Sequence, residues 1–362
     1  MKKIIIWVLV LGLLVGFLAP FFNSSSDSAA QAATFGFKEN LATTYGKTIA
    51  IPLKVTENCT ALQLKIADSV VLEVPKPKQK EIYFLDTKDF KPGAYLLDLQ
   101  VQDAAGNLYT EQRNLRILSD IKPERWSLKL GAAFTHDTRN YTQGLTFWNG
   151  ELYESTGDPN QDGSSMVSKI NMATGQPIQQ GKTTFKKQLD ASKFGEGIAI
   201  FGNEVFQLTW KNQQCFVYDL QTFELKRELA YNGEGWGLCT DGKQLIMSDG
   251  TERLTFRDPK TFETLRTLEV YSDQGPLPQL NELEYIDGLI YANIYTTNFV
   301  AVIEPTLGRV IALIDASNLV AAGKGNGEVL NGIAYNAKTG KTYMTGKYWP
   351  KMFEVTIVKK HD

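Results

Sequence analysis

The sequence predicts an all-β chain, a five-bladed β-propeller preceded by a small immunoglobulin-like β-sandwich. Three observations lead there. A strand–turn–strand pattern recurs five times in the C-terminal two-thirds, opening at Gln143, Glu196, Trp236, Asn281 and Asn331. Its second positions, Gly144, Gly197, Gly237, Glu282 and Gly332, stand 53, 40, 45 and 50 residues apart, which is the period of four-stranded blades. Ahead of the repeat, short strand-like runs separated by turn signals fill residues 34–118 in the manner of a sandwich.

The chain opens with Lys2 and Lys3, an apolar run from Ile4 to Phe22, the polar stretch Asn23–Asp27 and the small-residue pattern Ala30-Gln31-Ala32. Residues 1–33 therefore read as an export signal with a cleavage site. The apolar run has 19 residues, just enough to span a bilayer, so a retained membrane anchor through residues 4–22 stays open beside cleavage. No cysteine lies near it, which speaks against a lipoprotein. In either case the leading lysines put the rest of the chain outside the cytoplasm, and the expected location is exported, periplasmic or extracellular.

Residues 34–118 carry the runs Thr48–Val55, Ala61–Ile66, Ile82–Phe84, Tyr95–Asp103 and Leu108–Ile117, with turns at Lys91-Pro92-Gly93 and Asp103–Asn107. Gly93–Asp103 alternates apolar and polar side chains through most of its length, the mark of a half-buried antiparallel strand. The Cys…Trp…Cys spacing of antibody domains is missing, so the likeness is to sandwich architecture alone. A spacer or docking module is expected there rather than a catalytic unit. Residues 119–126, with Asp120, Lys122 and Pro123, read as a linker, and 127–362 as the propeller.

Within each repeat a short apolar strand runs to a tight turn and a second strand returns. The turns are Asn149-Gly150, Gly202-Asn203, Asp241-Gly242, Asp287-Gly288 and Thr339-Gly340. The outer half of a blade is visible as well: Val217–Glu224 and Thr255–Glu263 are two copies of one strand–turn–strand unit.

Hydrophobic residues make up 43% of the 362, enough for a sizeable core, and the formal net charge is −2. Basic residues are spread along the chain with no stripe to neutralise phosphates, which excludes nucleic acid as a partner. Two histidines and three scattered cysteines leave little for a zinc site, and His136 beside Asp137 reads as structural. Cys59, Cys215 and Cys239 are an odd set; three buried thiols, or a Cys215–Cys239 bridge, both fit. Nothing in the pattern fixes an oligomeric state.

In a propeller the residue opening each repeat crowds around one channel mouth, and the second strands return to the same rim. The ring is then Gln143, Glu196, Trp236, Asn281 and Asn331, with Trp210, Asp249, Tyr295 and Lys347 beside it. Buried polar groups cost about 1–3 kcal/mol each when unpaired. A convergent set at a concave mouth is the usual form of a small-ligand site. The alternative is that they bond to one another and to the blade backbones.

The segments Tyr141–Leu145, Tyr153–Gly157, Phe194–Ile198, Gly235–Leu238, Asn281–Tyr285, Asn331–Tyr335 and Thr345–Pro350 together resemble the signature segments of the glutamine cyclotransferase family of plants and bacteria. The resemblance spans about 235 residues and leaves the sandwich outside it. It implies an enzyme that closes the N-terminal glutamine of peptides or proteins into pyroglutamate and releases ammonia. It also implies roles, position by position: Glu196 as the essential acid, Gln143 and Asn281 as channel-lining amides, Lys347 as the lysine of the Thr-Gly-Lys segment. Trp210 and Trp236 match two channel tryptophans. Tyr295 stands where the plant enzyme has tryptophan, and Tyr141 is the aromatic before the Gln-Gly pair.

The chemistry so implied joins the substrate's own α-amine to its γ-carboxamide carbon, which needs a held conformer and managed protons. Glu196 would carry the proton, with Gln143, Asn281 and Asn331 positioning amine and amide. Lys347 would either stabilise charge on the carbonyl oxygen or pair with Glu196; both stay open. No cofactor is required, although the family can hold a calcium ion and the carbonyl-rich loops here could do so. Two other readings remain: a non-catalytic exported binding propeller, and a propeller lyase or hydrolase acting on another small substrate.

Overall fold

Alternating side chains build the N-terminal part. In the computed structural model, which describes residues 32–180 and 183–359, its strands form two sheets. Ala33–Phe35, Thr48–Val55 and Lys80–Asp86 make one, all antiparallel. The other runs Leu41–Thr44, Leu108–Leu118, Gly93–Asp103, Cys59–Ile66, Ser69–Pro75 in spatial order, with its first pair parallel. Inward residues of both, among them Ile51, Leu53, Leu64, Leu99 and Ile117, share one core drawn from residues 32–117 alone. All five expected runs are strands. Ser69–Pro75 escaped the sequence reading because it is an edge strand with no fully buried position, and so no alternation to detect.

The apolar run Ile4–Phe22 and most of the Ala30-Gln31-Ala32 pattern lie outside the described residues. Among the described ones no helix is long and apolar enough to cross a membrane.

Beyond residue 124 the chain forms five sets of antiparallel strands, the first three as separate sheets and the last two as halves of one eight-stranded sheet, with Gln179–Gln180 and Thr183–Thr184 as a further two-stranded ribbon. The opening strands of the five sets are Tyr141–Trp148, Gly195–Phe201, Leu238–Thr240, Leu280–Ile286 and Leu330–Asn336. Each opening strand packs against the next, and the fifth packs against the first, so the five close a ring. The hairpins follow from local chemistry: Asn149-Gly150 (φ 52° and 83°) and Asp287-Gly288 (φ 49° and 85°) take the left-handed turn that matches strand twist. The two copied outer units fold alike, with Asp219 and Asp258 each accepting two backbone N–H groups of the following turn.

Two features draw the ring tight. A Cβ on Gly237 would lie 2.0 Å from the Asn281 carbonyl oxygen, so only glycine lets the third and fourth opening strands approach this closely. In the fourth repeat the second position is Glu282 instead. Its buried carboxyl accepts Leu145 N (3.2 Å) from the first opening strand and Ile333 N (2.9 Å) from the fifth.

The fifth sheet is completed from far away in sequence. Glu124–Thr135 pairs antiparallel with Lys351–Val358 and parallel with Arg309–Asp315, so the fourth and fifth sheets join edge to edge. This strand begins at Glu124, within the stretch 119–126 expected as linker, where Trp126 is already 95% buried.

Candidate active site

The opening residues converge because of where the ladders break. In the first, second, fourth and fifth sheets the register slips between Thr142 and Gly144, Gly195 and Ile198, Leu280 and Leu283, and Leu330 and Ile333. Gln143, Glu196, Asn281 and Asn331 sit on those slips. Such irregularities free a residue from pairing and re-aim its side chain. Trp236 precedes a ladder that starts only at Leu238, and its carbonyl accepts Gly197 N at 2.7 Å.

Eight of the ten expected site residues line one cavity of about 110 Å³. At its base Gln143 Nε2 donates to Glu196 Oε1 at 3.0 Å. Asn281 is buried, and its Oδ1 has no hydrogen-bond partner among the described residues. Trp236 and Tyr295 meet edge to face at 5.4 Å, and Phe194 packs between Trp210 (5.6 Å) and Tyr141 (6.1 Å). Lys347 Nζ lies over two of these rings, 4.3 Å from the Tyr141 centroid and 5.1 Å from that of Tyr295.

Burial sets the electrostatics. It pushes the Glu196 carboxyl well above its ordinary range; Lys347 pulls it back and Glu234 pushes it further up. Burial also lowers the Lys347 ammonium from 10.5 to about 8, against the opposing pull of Glu196 and Glu328. A carboxyl pushed up by burial thus faces a lysine whose ammonium burial pushes down. No ion pair within 4.0 Å joins the two, although each acts on the other's charge, and the ammonium sits over the Tyr141 and Tyr295 rings.

Asn331 departs from expectation. It is fully buried behind Gln143, donating through Nδ2 to Gln143 Oε1 (3.3 Å) and to Thr142 O (2.9 Å), and it does not line the cavity. Asp249 is also elsewhere, accepting Thr251 N at 3.0 Å in a turn. Two residues given no role by the sequence belong here: Phe194, in the quoted Phe-Gly-Glu segment, and Glu234, two positions before Trp236. Glu234 left no signal of its own, because its partners are indole N–H groups that no spacing rule anticipates.

The remaining chemistry-bearing groups are structural. His136 is buried between Trp349 O (Nδ1, 2.7 Å) and Glu154 Oε1 (Nε2, 3.0 Å). Cys59, Cys215 and Cys239 are all free and buried, so no Cys215–Cys239 bridge forms. Among the described residues no three histidine, cysteine or carboxylate side chains cluster to hold a metal. A larger cavity of about 350 Å³, lined by Trp148, Glu284, Tyr285 and Lys338, lies toward the hairpin ends of the opening strands and gathers none of the expected residues.

An all-β scaffold that gathers a buried carboxyl, two carboxamides and a lysine in one aromatic pocket has the make-up of an enzyme site. Residues 101–357 match the model of the glutamine cyclotransferase family, and the chain belongs to that family. It is 34% identical over 236 residues to a glutaminyl-peptide cyclotransferase of Arabidopsis thaliana, a match covering 64% of this chain and 71% of that protein. It is also similar to the crystal structure of Myxococcus xanthus glutaminyl cyclase, with 34% identity and a TM-score of 0.60 over 66% of this chain and 100% of that one.

Proposed function

We infer that the chain is a glutaminyl-peptide cyclotransferase acting on peptides or proteins with N-terminal glutamine. The observation that carries this reading is the Gln143–Glu196 contact inside an aromatic cavity that also holds Asn281 and Lys347. In the reaction the α-nitrogen bonds to the γ-carboxamide carbon, the bond from that carbon to the amide nitrogen breaks, and ammonia leaves. The α-amine, whose ordinary pKa is about 8, must attack as the neutral base. Glu196 accepts the proton it sheds and delivers one to the departing nitrogen, a task suited to a carboxyl raised by burial. Asn281, in the cavity wall, positions the amine. The Lys347 cation faces the carboxamide oxygen, where negative charge develops. The indoles and Tyr295 keep water out, so the tetrahedral centre closes to the lactam rather than hydrolysing to glutamate.

We propose further that the five sheets are blades of a β-propeller formed by residues 127–362 and closed by Glu124–Thr135. Residues 34–118 would be an immunoglobulin-like sandwich that spaces or docks it. The ring of opening strands and the separate core of residues 32–117 support that division. The lysines and apolar run of residues 1–33 support export, by cleavage or with a retained anchor.

Mass spectrometry of a Gln-initiated peptide beside an Asn-initiated one tests the activity. The first should lose one ammonia; the second should not change, because its shorter side chain would have to close a four-membered ring. No change in either, with folded protein, would shift the reading to a binding propeller.

A further inference from the structure

Glu234 lines no part of the cavity, yet one of its carboxylate oxygens takes both indole N–H groups of the wall. Trp210 Nε1 donates to Glu234 Oε2 at 2.7 Å and Trp236 Nε1 donates to the same atom at 3.0 Å. The two rings belong to different sheets. Trp210 follows the second strand of the second sheet, and Trp236 precedes the opening strand of the third. An indole N–H is a donor with no acceptor function, so its ring is oriented by whatever accepts from it. One shared acceptor fixes both orientations together. The carboxylate is itself held: Lys211 Nζ lies 3.9 Å from Glu234 Oε1 and 4.0 Å above the Trp210 ring.

We propose that Glu234 is a positioning residue for the cyclisation, a carboxylate clamp that ties Trp210 to Trp236 across the seam between two sheets and sets the width of the pocket in which the glutamine side chain folds back on its own amine. The proposal rests on the cyclotransferase reading. Its reason is geometric. The substrate's amine and amide carbon must be brought into near-attack contact by the walls, since nothing covalent holds them, and small misplacements there are costly. The clamp also has an electrostatic side. Glu196 is faced by Lys347, by Glu234 and by the phenols of Tyr141 and Tyr231, and among these Glu234 supplies the like charge.

The test is steady-state kinetics on a Gln-initiated peptide across pH, for wild type, Glu234→Gln and Glu234→Leu. Leucine removes the acceptor and should lower kcat/KM by about ten- to hundred-fold with a raised KM. Glutamine keeps an acceptor oxygen in the same place and should restore most of the turnover. Because it removes the charge, it should also move the acid limb of kcat/KM to lower pH, while the limb of the substrate amine, common to both enzymes, stays put. Wild-type kinetics in Glu234→Leu would overturn the clamp. So would a Glu234→Gln variant as impaired as Glu234→Leu with the acid limb unmoved, because that pattern reports a merely structural carboxylate. If Glu234→Leu fails to fold, the limb of Glu234→Gln decides alone: moved supports, unmoved overturns. An inactive wild type would instead sink the cyclotransferase reading, so the two failures are distinguishable.

Discussion

Glu196 carries opposite consequences for catalysis and for stability. Its ordinary pKa is 4.5 and its folded value lies well above that. Below about pH 4.5 folded and unfolded chains both hold the proton. As pH rises past that value the unfolded chain ionises alone, and stability falls until the folded carboxyl titrates too. Glu196→Gln keeps the Gln143 contact and removes this penalty. It should therefore melt at a higher temperature than wild type at pH 8 and at the same temperature at pH 4, while its turnover is lost. Lys347 has the reverse linkage. Its pKa falls from 10.5 to about 8, so the folded chain binds fewer protons than the unfolded one in that window and stability rises with pH across it. Lys347→Met should gain stability at pH 7, read by thermal melting, and lose about 10²–10³-fold in kcat, the range of a removed transition-state charge partner.

The ring of opening strands depends on backbone approach more than on side-chain packing. At Gly237 an added methyl meets a carbonyl oxygen and a Cα of the neighbouring strand, neither of which is a flexible side-chain end. Gly237→Ala should cost about 3 kcal/mol or more, at or beyond the upper end for overpacking, as measured by chemical denaturation. At this level the sequence was most informative. The paired opening residues and the Asn-Gly and Asp-Gly turns are local signals, so the repeat and seven cavity residues could be read from it, while Tyr141 came only with the resemblance. What it hid was non-local. Asn331 carries the same motif as Gln143, and only the packing of one against the other tells which lines the cavity. Glu234 acts through two indoles supplied by separate sheets, one of them 24 residues away.

Across the whole molecule the longest-range tie is the strand Glu124–Thr135, seated between Arg309–Asp315 and Lys351–Val358. The sequence could not reveal it, since no local pattern states that a strand after a presumed linker pairs with the end of the chain. From the N-terminal part Ala94 N donates to Glu269 Oε2 (3.1 Å) and the Tyr45 ring meets the Arg309 guanidinium (5.9 Å), while Ser119 N–Ser272 O (3.1 Å) and Asp120–Arg309 (3.2 Å) lie in the connecting stretch. A chain starting at residue 119 should therefore fold and turn over substrate within about two-fold of the full protein, because exposed polar contacts contribute little. One starting at residue 137 loses the strand that joins two sheets and should not fold. Circular dichroism and ammonia release on the two truncations check this.

Ammonia released from a Gln-initiated peptide, measured for wild type and Glu196→Gln at matched folding, tests most directly whether a buried carboxyl moves the proton in this site. The wild type should release one ammonia per peptide, and the variant should be slower by about 10²–10⁴-fold, the span of a lost general acid–base. A folded Glu196→Gln variant with turnover near wild type would contradict that role.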